Sequence, residues 1–110
     1  MDTNNAINFF SALSQETRLD VFRLMVKAGS KGMLAGDIAD ELSIKQNTMS
    51  ANLSVLTQAG LLKKERGGRN IRYFADFNGL AQLLTFLMED CCGGQPEMCK
   101  PFIEKILKCC

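Results

Sequence analysis

The sequence predicts a mainly α-helical fold carrying one β-hairpin, and three observations predict it. Apolar residues recur at helical spacing through most of the 110 residues. Two short β-favouring runs, Leu61 to Glu65 and Ile71 to Ala75, flank the turn sequence Arg66-Gly67-Gly68-Arg69-Asn70. The five cysteines stand apart from both patterns: Cys91, Cys92, Cys99, Cys109 and Cys110 all fall near the C-terminal end.

Asn5 to Leu13 carries Ile7, Phe9, Phe10 and Leu13 and reads as a short amphipathic helix. Ser14 suits the N-cap of the next helix, and Glu16 places an acid in its first turn. That helix runs to about Ala28 with Leu19, Phe22, Met25 and Val26 on its apolar side, and Gly29-Ser30-Lys31-Gly32 ends it. Ala35 to Leu42 is a short helix with Ile38, Ala39 and Leu42 inward, followed by a tight connection at Ser43-Ile44. Lys45 to Ala59 forms the next helix. Met49, Leu53 and Leu56 share one face, while Asn47, Ser50, Ala51 and Ser54 lie opposite, and Gly60 stops it. After the hairpin, Phe77 to Asp90 is helical. Leu80, Leu83, Leu84, Leu87 and Met88 follow the i, i+3, i+4, i+7, i+8 pattern and Cys91 continues that face. Gly93-Gly94-Gln95-Pro96 breaks the chain, and a last helix spans Pro101 to Lys108 with Phe102, Ile103, Ile106 and Leu107 inward.

The length fits a single small core, and 46% apolar residues argue against disorder. No apolar run reaches the roughly 20 residues of a membrane span. The polar start Met1-Asp2-Thr3-Asn4-Asn5 lacks the basic and apolar regions of a signal peptide. A cytoplasmic protein with reduced thiols is expected, and an odd cysteine count argues against a closed disulfide framework. With no His, no Gly-rich phosphate loop and no recognisable carboxylate pair, an enzyme is not expected.

Two helices joined by a tight turn, then a hairpin with a basic tip, describe a winged helix-turn-helix. Its second helix enters the DNA major groove N-terminal end first. Gln46, Asn47, Thr48 and Ser50 supply amide and hydroxyl groups suited to base edges, while Arg66, Arg69 and Arg72 can reach phosphates or a minor groove. The formal net charge is only +1, so the basic surface must be local. A homodimer presenting it twice is then expected, joined by the helix bearing Leu80, Leu83, Leu84 and Leu87 and by the N-terminal helix.

At the C-terminal end, the Gly pair and Pro96 allow Cys91, Cys92 and Cys99 to converge. Three thiolates without an imidazole suit a thiophilic ion in three-coordinate sulfur, such as trivalent arsenic or antimony. A fourth sulfur from Cys109 or Cys110 would permit zinc, cadmium or lead. Cys109 and Cys110 also fit a packed or frayed helix end, a secondary metalloid site or a delivery pair.

Phe10-Ser11-Ala12-Leu13-Ser14-Gln15-Glu16-Thr17-Arg18-Leu19 resembles the opening motif of the ArsR/SmtB metalloregulators. Ile44 to Leu53, Leu56, Ala59-Gly60-Leu61-Leu62 and the hairpin are similar to that family's recognition helix and wing. The resemblance spans roughly residues 8 to 90. It implies a homodimeric, DNA-binding repressor that leaves double-stranded operator DNA when a metal or metalloid binds. The chain departs from the pattern at Lys45 and Asn47, where the family often has Ser, and at Ala51-Asn52, where it often has two His. The stretch Met33 to Ile38 lacks the cysteines many members hold there, and the His-carboxylate pairs of the zinc sensors are missing. Some arsenic-responsive members carry a Cys-Cys-Gly-Gly-x-Pro-x-x-Cys segment after the wing's helix, as here from Cys91 to Cys99.

The expectation is therefore a winged helix-turn-helix DNA-binding and dimerisation domain over residues 1–90 and a cysteine-rich inducer-binding segment over 91–110. Arsenite or antimonite would act as inducer, not as a catalytic cofactor. The alternatives are a repressor sensing thiol redox state, through a disulfide between Cys91 or Cys92 and Cys99, a repressor sensing a divalent metal, or a metal buffer of winged-helix shape.

Overall fold

The computed structural model describes residues 1–89 and 91–108, with Cys91, Cys92 and Pro96 described in backbone only. Among the described residues, six α-helices and three strands follow in chain order. They are α1 (Thr3–Leu13), α2 (Glu16–Ala28), β1 (Met33–Leu34), α3 (Ala35–Glu41), α4 (Gln46–Ala59), β2 (Leu62–Gly67), β3 (Asn70–Ala75), α5 (Phe77–Leu87) and α6 (Pro96–Leu107). Short 3-10 turns cover Gly29–Lys31 and Cys91–Gly94.

The predicted hairpin is present, with Leu62 opposite Ala75 and Gly67 opposite Asn70. A third strand completes it. Met33 and Leu34 pair antiparallel with Tyr73 and Arg72, giving the order β1-β3-β2. Two residues carry no readable alternation, so β1 was silent in the sequence. Gly32 makes the approach feasible: its φ is +62°, and a Cβ there would collide with the Tyr73 carbonyl and the Phe74 ring.

Helix starts depend on side-chain caps, and two differ from expectation. Asp2 accepts from the Asn5 N–H at 2.8 Å, so α1 begins before Asn5. Gln15, not Ser14, caps α2, accepting from the Arg18 N–H at 2.9 Å. Ser14 instead closes α1, where its N–H and its hydroxyl both donate to the Ser11 carbonyl at 3.3 and 2.7 Å. Gln15 reaches the same orphan amide with a longer side chain, and Ser14 is held by the preceding helix.

The core gathers α1 to α4, the sheet and one residue of α5. Val21, Met25, Ile38, Met49, Leu53, Leu56 and Leu61 lose all solvent contact. Leu19 and Val26, expected on the apolar side of α2, are exposed. Val21 takes the inward position beside Phe22 and Met25. At the C-terminal end, α6 begins at Pro96 rather than Pro101, since Pro is preorganised for the first helical position, and Pro101 sits inside the helix. Phe102, Ile103, Ile106 and Leu107 are not inward but 47–68% exposed.

Gly60 ends α4 in a left-handed conformation (φ +92°), with its N–H on the carbonyls of Leu56 and Thr57. The chain then turns through Leu61, whose carbonyl accepts from the Asp76 N–H at 2.8 Å. Asp76 caps α5 by accepting from the Gly79 N–H at 2.9 Å. Gly79 lies against the Gly60 carbonyl so closely that a Cβ would overlap it. The start of α5 is therefore fixed to the end of α4.

Truncation of Leu53 to Ala is expected to lower the unfolding free energy by about 2–5 kcal/mol, and loss of the Asp76 cap in Asp76→Ala by about 1 kcal/mol. Urea titrations of the reduced protein, followed by circular dichroism, measure both.

Candidate nucleic-acid interface

The turn between α3 and α4 sets the pose of α4, the candidate reading helix. Ser43 takes φ +54°, uncommon for a residue with a Cβ, and its N–H reaches the Asp40 carbonyl at 3.2 Å. The Ile44 N–H donates to the Ala39 carbonyl at 2.9 Å and Ile44 packs on the core. These bonds reverse the chain within a few residues and turn α4 across α3.

Along α4, Met49, Asn52, Leu53 and Leu56 are buried, and Gln46, Asn47, Thr48, Ser50, Ala51 and Ser54 are exposed. The structure thus places all four predicted base-reading residues on open surface at the helix's N-terminal half. Asn47 Oδ1 accepts from the Thr48 N–H at 2.9 Å, which orients its amide. Lys45 is the N-cap and forms no side-chain capping bond. The first turn therefore retains backbone donors at the positive end of the helix dipole, a favourable place for phosphate oxygen.

The wing turns at Gly68 (φ +65°) and Arg69, and Arg66, Arg69 and Arg72 are all exposed. They are not equivalent. Arg66 and Arg69 belong to the tip. Arg72 lies further down β3, opposite Glu65, and its Nη1 donates to the Lys31 carbonyl at 3.1 Å, tying the wing to the loop before β1. Sequence reasoning passed over Lys63 and Lys64, exposed on β2, although a basic pair in a wing strand was a legible signal. It also passed over Asn52, the one buried polar side chain among the described residues.

The predicted dimer stripe divides. Leu83 is buried and Leu80 half-buried against the core, while Leu84 (47%), Leu87 (51%) and Met88 remain exposed, as do Ile7 and Phe10 on α1. The expected end of the α5 segment at Asp90 lies outside the described residues.

Among the cysteines, Cys99 sits in the first half of α6, is 5% exposed, and is disulfide-bonded. Cys91 and Cys92 begin the 3-10 turn Cys91–Gly94, against which α6 packs; their side chains lie outside the described residues. Gly93 and Gly94, ahead of α6, both take positive φ (57° and 84°). Cys109 and Cys110 also lie outside the described residues. Among the described residues, no helix is long and apolar enough to cross a membrane.

A family model described as a helix-turn-helix domain matches residues 13–65, the stretch from the end of α1 into β2. The transcriptional repressor SdpR of Bacillus subtilis is 32% identical over 81 residues, covering 74% of this chain and 87% of SdpR. An ArsR-like transcriptional regulator from Rhodococcus sp. RHA1 superposes with a TM-score of 0.69 at 25% identity, over 94% of this chain and 92% of that one. The homodimeric winged helix-turn-helix DNA-binding domain of a Mycobacterium bovis protein superposes with a TM-score of 0.65 at 24% identity, over 76% of this chain and 75% of that one.

Asn47→Ala and Ser50→Ala are expected to weaken binding to a preferred duplex by about 1–3 kcal/mol each with little change on random DNA. Arg66→Ala and Arg69→Ala should weaken both alike and reduce the slope of log affinity against log salt by about 1 apiece. Fluorescence anisotropy at several salt concentrations separates the two classes.

Proposed function

We propose, for a chain that belongs to the ArsR-type winged helix-turn-helix transcriptional regulators, that it is a homodimeric repressor which leaves its operator when trivalent arsenic or antimony binds Cys91, Cys92 and Cys99. One observation carries the DNA-binding part. The face of α4 opposite the core offers Gln46, Asn47, Thr48 and Ser50 to solvent, beside a wing tipped by Arg66 and Arg69. Hydrogen-bonding side chains on a protruding helix read base edges, and the arginines hold register on the phosphates.

The dimer reading is supported by apolar side chains that the single chain leaves in water on α1 and α5: Ile7, Phe10, Leu84, Leu87 and Met88. Covering them against a second copy removes that surface from water and fixes the distance between two α4 helices.

The inducer reading rests on the donor set. Arsenite, As(OH)3, condenses with three thiols: three As–O and three S–H bonds break, three As–S bonds form, and three waters leave, with arsenic trivalent throughout. The segment provides soft sulfur donors and no imidazole. Two glycines at positive φ, Gly93 and Gly94, stand between Cys92 and Cys99 and give the chain freedom to turn there. Tying the end of α5 to α6 acts on an element whose start is fixed to the end of α4. Inducer and DNA then oppose each other through a coupling free energy that is equal in both directions.

A second reading is favoured by the disulfide at Cys99. Two thiols oxidised to a disulfide give two electrons and two protons to an oxidant, and hydrogen peroxide accepts them as two waters. In that case release from DNA follows oxidation and needs no metalloid.

Reduced protein bound to operator is expected to dissociate on arsenite addition, and Cys92→Ser and Cys99→Ser to stay bound. Anisotropy of labelled operator reads both. Release by peroxide but not by arsenite would install the redox reading instead. Indifference of the wild type to both would remove these thiols from the switch.

A further inference from the structure

We infer that Arg18 is a positioning residue for DNA binding, which ties the end of α1 to the reading helix α4 through Asn52. The inference deepens the repressor reading and rests on it. Three observations carry it.

First, Arg18 spans three helices. It belongs to the first turn of α2, its Nε donates to the Ala12 carbonyl of α1 at 2.7 Å, and its Nη1 donates to Asn52 Oδ1 of α4 at 3.3 Å. Ala12 lies in the last turn of α1, where carbonyls have no partner within the helix, and a guanidinium there also meets the negative end of the helix dipole. The planar fork of an arginine can hold two acceptors in fixed relative positions, which a lysine cannot do.

Second, Asn52 has no packing reason to be polar. It is 9% exposed and stands between Met49 and Leu53, on the face of α4 that is otherwise apolar. A buried amide without a partner is unfavourable, and Arg18 provides the partner. Apolar contact is non-directional, so Met49, Leu53 and Leu56 select which face of α4 turns inward but leave small rotations and slides inexpensive. The hydrogen bond is directional and specifies the remaining degree of freedom.

Third, the two ends of the strap have different tasks. The α1 end carries Ile7 and Phe10, exposed and assigned above to the dimer contact. The α4 end adjoins Ala51 and Ser50 on the reading face. One side chain therefore links the element that sets dimer spacing to the element that reads bases. Arg18 itself need not touch DNA, so its effect falls on selectivity rather than on general affinity for the phosphate backbone.

The test is a double-substitution cycle with Arg18→Lys, which keeps the positive charge, and Asn52→Leu, which keeps the branched heavy-atom skeleton of the amide. The preferred duplex is selected from a random pool by the wild-type protein, and binding is compared on it and on random duplex across salt concentrations. Each single variant is expected to lose about tenfold on the selected duplex, to keep its affinity for random duplex and its salt slope, and the double variant to be no worse than the weaker single. Additive losses, or equal losses on both duplexes, would overturn the inference, the second showing general damage to the fold. Singles that bind the selected duplex as tightly as wild type would overturn it too. A wild type that selects no duplex at all would instead sink the repressor reading, and a thermal melt of each variant confirms that the molecules compared are folded.

Discussion

Everything this molecule presents to DNA depends on burying one face of α4. Met49, Leu53 and Leu56 lose all solvent contact against the other helices and the sheet. Each contributes roughly 1.5–3 kcal/mol by leaving water. In a helix, burying one face obliges the opposite face to stay outside. The exposure of Gln46, Asn47, Thr48 and Ser50 is thus the other side of a packing solution. The turn at Ser43 only has to bring the helix to the core at the right angle. Changes in the core of α4 reach its polar face through tilt, and no change in surface chemistry is needed.

A second constraint follows from the charge distribution. With a net charge of +1, the chain lacks the broad positive field that draws many DNA-binding proteins to any duplex. Its attraction has to be local, in the wing tip, β2 and the first turn of α4. That favours recognition through a few placed contacts and makes their relative geometry decisive. The same economy appears in the apolar surface. A small core satisfies α1 and α5 on one side only, and the other sides leave Ile7, Phe10, Leu84 and Leu87 exposed, the surface on which the proposed homodimer rests.

The helical framework was legible because its signals are periodic and long. The α4 face, the Gly60 stop, the hairpin and the helix after it all follow from spacing of apolar residues and from turn chemistry. Errors arose where a single residue decides between neighbours. Ser14 and Gln15 are both able caps, and only the ladder of α1 shows which is already engaged. On α2, Val21 displaced Leu19 and Val26 because a helical apolar stripe does not say which of its edges meets the core. For α6, an inward face was expected of Phe102, Ile103, Ile106 and Leu107, yet among the described residues these stay exposed and Cys99, on the same helix, is the buried position. The Arg18–Asn52 bond joins residues far apart in sequence, and no local pattern announces it. The exposed polar face of α4 follows from helical periodicity, whereas the cysteines stand out by composition, which specifies donors and not their geometry.

The contact between Gly79 and Gly60 has a consequence for how α5 can move. Within a helix alanine ordinarily surpasses glycine by about 1 kcal/mol, yet position 79 reverses that preference, because the methyl group would wedge two backbones apart. Two main chains in direct contact behave as a hinge pin. The start of α5 is held at the end of α4, Asp76 clasps it from the side, and its far end, followed by Cys91 and Cys92, is the end with an arm. Were that far end displaced, the contact at Gly60 would turn the displacement into a rotation against the end of α4, with the length of α5 as the lever.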